Sequence, residues 1–149
     1  MKGIKLINRV KILNIIDKID FFSEFNVGEK SMIVDTRSRF VAAEKGESII
    51  VQGEKDSSFY ILLHGSAQVS LEENGKTLAH LQPGNFFGEV SFLTDTPRTS
   101  NVVASETCIL FRFDKKVMNS LPSMTREKIK DKVIAKLVHL LSEKNESQK

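Results

Sequence analysis

Apolar residues recur every three or four positions at the two ends of the chain and gather into short runs through its middle. Near the start, Ile4, Ile7, Val10, Leu13 and Ile16 fall at helical steps, which predicts an amphipathic helix over 4–19. Phe21, Phe22 and Phe25 follow, and with Ser23 or Asn26 as a cap a second short helix is expected over about 28–35. From Arg39 the period changes. Runs at 40–43, 48–51, 59–63, 67–71 and 77–81 are separated by Lys45-Gly46, Gln52-Gly53, His64-Gly65, Asn74-Gly75 and Pro83-Gly84. Short strands with glycine turns about every ten residues argue a barrel or a sandwich. Asn74-Gly75 is a hairpin signal, because a type I′ turn needs positive φ at both central residues. Two further strands are expected at 99–104 and 107–113. Asp114 is placed to cap a helix over 115–121, Pro122 to end it, and Ser123 to cap a last helix over 124–142. That last helix carries Ile129, Val133, Ile134, Leu137, Val138, Leu140 and Leu141, a stripe wider than one surface contact needs. The polar tail from Ser142 is expected to fray.

Composition narrows the class. A chain of 149 residues holds one domain with a real core. It is 40% hydrophobic and 28% charged, ordinary for a soluble globular protein. No apolar run approaches the ~20 residues of a membrane span, and the first twenty residues lack the apolar centre of a signal peptide. The single cysteine, Cys108, lies in an apolar run and excludes an intramolecular disulfide, so a reducing, cytoplasmic setting is expected, with Cys108 in the core. Net charge is +3; residues 1–20 and 123–149 each contribute +3 and the middle −3, so the basic groups lie on flanking helices. They form no dense basic cluster, and no nucleic-acid partner is expected. His64, His80 and His139 are not spaced for a metal site, and no nucleophile–base pair resembles a known arrangement, so neither a metal nor catalysis is expected.

The chemistry concentrates in residues 82–104, QPGNFFGEVSFLTDTPRTSNVVA. A Pro-Gly turn leads through Phe87-Gly88-Glu89-Val90-Ser91 to Pro97-Arg98-Thr99-Ser100. A tight turn feeding a short helix presents free N–H groups to an anion. Arg98 adds a permanent charge with a fork suited to phosphate oxygens. Glu89 would repel phosphate, but it can accept hydrogen bonds from sugar hydroxyls. Phosphate and ribose on one loop suggest a nucleotide.

This stretch closely resembles the phosphate-binding cassette of cyclic nucleotide-binding domains. The resemblance extends through Gly46-Glu47, Ile49, Gln52-Gly53, Phe59-Tyr60, Gly65 and Pro83-Gly84, and covers roughly residues 20–142. It implies a mainly β fold with flanking helices: an eight-stranded jelly-roll-like β-barrel over 38–113, N-terminal helices over 4–36 and C-terminal lid helices over 114–142. It implies cAMP or cGMP as ligand and no further cofactor. The phosphate would meet Arg98 and the N–H groups around Ser91, and the ribose 2′-hydroxyl would meet Glu89. Gly88 would let the backbone approach, and Val90, which replaces a commoner leucine or isoleucine, would be a pocket wall. Thr99 would permit guanine without excluding adenine. Leu137 and Val138, with Leu141, would cover the base from a helix that moves on binding. An effector protein in trans or a second copy of the chain would read that movement. The alternatives are a relative that has lost its ligand and serves as an interaction module, or a fragment of a catabolite-activator-type transcription regulator, which would need a helix-turn-helix beyond this chain.

Overall fold

The computed structural model describes residues 1–4, 8–35, 39–71 and 75–147, with side chains through 143. Nine strands form two antiparallel sheets. They are β1 (Lys2–Gly3), β2 (Phe40–Ala43), β3 (Ser48–Ile50), β4 (Phe59–His64), β5 (Ala67–Ser70), β6 (Thr77–Leu81), β7 (Phe86–Phe87), β8 (Asn101–Ala104) and β9 (Cys108–Phe113). The first sheet runs β1-β2-β9-β4-β7 and the second β3-β8-β5-β6. Among the described residues five α-helices accompany them: α1 (Arg9–Asp17), α2 (Val27–Val34), α3 (Glu89–Thr94), α4 (Lys115–Ser120) and α5 (Ser123–Ser147). The chain is thus mainly β with flanking helices, as expected. Among the described residues no ladder joins the two sheets into a closed barrel, and there are nine strands rather than eight.

The first sheet has a core on each face. Along β4 the side chains alternate: Phe59, Ile61 and Leu63 enter a cluster with the helices, while Tyr60 and Leu62 enter a cluster with the second sheet. β9 divides likewise, Phe111 and Phe113 to one side, Cys108 and Leu110 to the other. Strands covered on both faces read as unbroken apolar runs, which is how 59–63 and 107–113 stood out. Phe59 and Phe113 stack at 4.9 Å, and Phe21, Phe22 and Phe25 pack edge-on or tilted around Phe21. Cys108 is fully buried, and burial pushes its thiol up from the ordinary value. Gly65 has φ 95°, and a Cβ there would lie 2.3 Å from the Thr107 carbonyl. Only glycine lets β4 turn into β5 against β9.

The ends differ from the expectation in instructive ways. α1 begins at Arg9, not residue 4. Asn8 caps it by accepting from Val10 and Lys11, while Lys2 and Gly3 pair with β2 and the Ile4 amide donates to Phe40. Tertiary strand pairing overrides the helical spacing of Ile4; Ile7 lies outside the described residues. Asn26, not Ser23, caps α2, in a capping box with Glu29. Asp114 caps α4 as expected, accepting from Val117 at 2.8 Å. α5 starts at Ser123 itself, so that serine is a helical residue and not the cap, and the helix continues through Ser147 where a frayed tail was expected. The type of the 74–75 turn falls on Asn74, outside the described residues.

Candidate functional site

β7 is followed by Gly88, whose φ of 83° lies in the left-handed region. A Cβ there would stand 2.8 Å from Arg98 Nη1 and 3.1 Å from Ile50 Cδ1, so the position needs glycine twice over. α3 follows at once with no side-chain cap. Its first helical bond runs from the Phe92 amide to Gly88, so the N–H groups of Glu89, Val90 and Ser91 have no partner inside the helix. Glu89 and Ser91 are buried, while Val90 is 40% exposed. Asp95, at φ 55°, ends the helix and turns the chain back.

Arg98 is held at both backbone atoms: its N–H donates to Glu54 and its carbonyl accepts from Gly53, each at 2.9 Å. The side chain is 2% exposed. Nη1 donates to the Gly88 carbonyl at 2.9 Å and Nη2 to the Ser58 carbonyl at 2.6 Å. Asp56 Oδ2 lies 3.3 Å from Nη2. Nε is buried without a hydrogen-bond partner. Asp56 thus supplies part of the charge compensation from within the chain.

Burial pushes the Asp56 carboxyl up. Hydrogen bonds from the Ser58 hydroxyl and N–H, with Arg98 and Arg112 nearby, more than offset this and hold it below the ordinary range. Arg112 reaches Asp56 on one side and Asp114 on the other, at 3.4 Å each, and donates to Ser58 Oγ. Asp114 pairs with Arg39 at 3.1 Å while capping α4. A line of alternating charges therefore joins Arg98 to the start of the C-terminal helices.

Arg98 and the start of α3 border a cavity of about 310 Å³, at the small end of ligand pockets. The expected residues Phe87, Gly88, Glu89, Val90, Ser91, Arg98, Thr99 and Ser100 all line it; Pro97, which is exposed, does not. Its apolar wall comes mainly from the second sheet: Ile50, Val69, Ala79, Leu81 and Val102. From α5 the lining residues are Lys136 and Leu140. Leu137 and Val138 do not line it; Val138 and Leu141 are more than half exposed. The reason is helical phase. Ile129, Val133, Lys136 and Leu140 fall at steps of four, three and four, and so share the face turned to the body. A lysine stands on that face where an apolar residue was looked for, so the apolar count drifts to 137 and 138. Lys136 Nζ lies 3.1 Å from Glu89 Oε1, donates to the Phe86 carbonyl, and sits 4.4 Å from the Phe86 ring centroid. Asp56, Ser58, Arg112, Lys136 and Leu140 were not foreseen. Helical phase alone would have found Leu140.

An apolar cavity with a few convergent polar groups of both signs defines a small-molecule-binding domain. The family profile described as "Cyclic nucleotide-binding domain" matches residues 40–123, more than half of the chain, and the chain belongs to that family. A similar protein is the cAMP-dependent protein kinase regulatory subunit of Debaryomyces hansenii, 35% identical over 97 residues, which are 65% of this chain and 21% of that protein. The chain thus spans about a fifth of the length of that curated relative. Among solved structures, the regulatory domain of Toxoplasma gondii PKA with cAMP matches with a TM-score of 0.67 at 22% identity, covering 85% of this chain and 50% of that one. The regulatory subunit of a cAMP-independent protein kinase A from Trypanosoma brucei matches at 0.73 and 22% identity, covering 95% and 50%. At these identities the structures establish the fold. Among the described residues no helix is long and apolar enough to cross a membrane.

Proposed function

We propose that the chain is a cyclic nucleotide sensor that binds cAMP or cGMP and acts by binding rather than catalysis. The observation that carries this is Arg98: a buried guanidinium whose residue lines the cavity and whose Nε has no hydrogen-bond partner, beside N–H groups of α3 that have no partner inside the helix. The cyclic phosphate meets Arg98 and the amides around Ser91. The ribose 2′-hydroxyl donates to Glu89. The base lies against the apolar wall, with Thr99 at one side and Leu140 above, and the two sheets serve as halves of a jelly-roll-like barrel. α5 changes position on binding, by no more than the ligand's differential affinity for the two arrangements. An effector protein in trans, or a second copy, reads that change in a cytoplasmic setting, with no role for nucleic acid or membrane.

Calorimetry with cAMP and cGMP tests this. Arg98→Ala is expected to lose ~2–4 kcal/mol of affinity, about 30- to 1000-fold, from a charge-assisted contact to phosphate. Arg98→Lys, which keeps the charge but not the fork, is expected to fall between. A folded Arg98→Ala protein, checked by its melting temperature, that bound cyclic nucleotide normally would remove the reading.

A further inference from the structure

On the cyclic-nucleotide reading, Glu89 accepts the sugar 2′-hydroxyl, and it must be aimed to do so well. Its side chain is 8% exposed. A buried carboxylate without a cation is costly, and a phosphate arriving in the same cavity adds a like charge that repels it. The charged side chains lining the cavity are three: Glu89 from α3, Arg98 from the segment after it, and Lys136 from α5. The second-sheet wall and Phe87 bring none. Arg98 is turned to the Gly88 and Ser58 carbonyls and to Asp56, so it is not the cation on Glu89. Lys136 is, at 3.1 Å from Oε1. Its ammonium is fixed in turn by the Phe86 carbonyl and ring, so it does not wander. Oε2 has no protein partner among the described residues and is open to a hydroxyl.

We infer that Lys136 is a positioning residue for the sugar subsite: through its ion pair it holds the Glu89 carboxylate in place as an acceptor, and it makes recognition of the 2′-hydroxyl depend on where α5 lies. The ammonium and the hydroxyl take different oxygens of one carboxylate. Sugar discrimination is therefore built from two elements that meet only when α5 lies across the cavity.

The readout is the ratio of affinities for a 3′,5′-cyclic nucleotide and its 2′-deoxy counterpart, because that ratio isolates the hydroxyl contact and cancels changes at the phosphate. Calorimetry on wild type, Lys136→Met, Lys136→Gln and Lys136→Arg at pH 7 is expected to give the highest ratio in wild type. In Lys136→Met the ratio falls about ten-fold, the scale of one charge-assisted hydrogen bond lost. Lys136→Gln, which keeps a donor without the charge, follows the methionine variant, and Lys136→Arg follows wild type. An unchanged ratio in the folded Met and Gln variants overturns the inference, whatever their absolute affinity. A wild type that binds but does not prefer the ribose form removes Glu89 as acceptor and the inference with it, while Arg98 keeps its phosphate role. A wild type that binds neither form removes the cyclic-nucleotide reading itself.

Discussion

The two halves of α5 are held in different ways. Its first half is welded to the body. Ile129 and Val133 are fully buried, and Thr125 and Lys128 both donate to the Glu29 carboxylate of α2, at 2.8 and 2.6 Å. Its second half rests on the cavity through Lys136 and Leu140 and turns Ile134, Val138 and Leu141 outward, each about half exposed or more. One helix thus has an anchor that stability depends on and an arm that binding depends on. Apolar burial and paired charge make the first half part of the fold. Among the described residues the second half meets the body through Lys136, on Glu89 and Phe86, and through Leu140, few enough contacts for a ligand to change its position.

The comparison breaks most visibly at Ile129. Ile129→Ala is expected to lose about 3 kcal/mol of stability by urea unfolding, with ligand affinity of the folded protein unchanged; an affinity loss of the same size would mean that the halves are one unit. Next is Glu29. Burial pushes its carboxyl up, but Lys128, the Asn26 amide and Thr125 bring it below the ordinary range. Its contribution is therefore present above the unfolded glutamate pKa and lost as pH falls through the lower folded value. Glu29→Gln is expected to cost about 1–2 kcal/mol at pH 7, and the gap to wild type should close below about pH 4. A gap that stayed constant with pH would deny the charge any part in the anchor. Smallest are substitutions in the arm. Leu140→Ala is expected to weaken cyclic nucleotide binding by about 1 kcal/mol with little change in melting temperature, while Val138→Glu changes either by no more than ~0.5 kcal/mol. If Val138→Glu instead disrupted a dimer seen by light scattering, the outward stripe would be a seam between copies.

What could be read from residues alone follows from how local each feature is. Glu89 and Arg98 stood out because the turn, the glycine and the arginine lie within one short stretch. β4 and β9 stood out because both their faces are buried. β7 was missed because two residues in a loop-like stretch carry no periodicity, and become a strand only by pairing with Tyr60 and Ile61. β1 was missed for the same reason. Asp56 and Lys136 are remote in sequence from the groups they serve, and their types, a loop aspartate and a helix lysine, are the commonest solvated residues. Nothing but the folded chain brings them to Arg98 and Glu89.

The order of strands has a consequence for how the chain is made. β9 lies between β2 and β4, pairing Phe40 with Phe111 and Tyr60 with Arg112. Without it the first sheet is two separate pieces. Closing those pairs joins residues roughly fifty to seventy positions apart, an entropic cost met before any reward and a topology that folds slowly. On a ribosome, β2 and β4 emerge long before the strand that joins them, and their edges wait unpaired, open to other chains. The binding loop lies between β7 and β8, inside that unclosed span. Lys136 and Leu140 are made after the ninth strand, so the cavity is complete only once the sheet can close, and cyclic nucleotide is expected to stabilise chains that have closed it rather than to template the early steps.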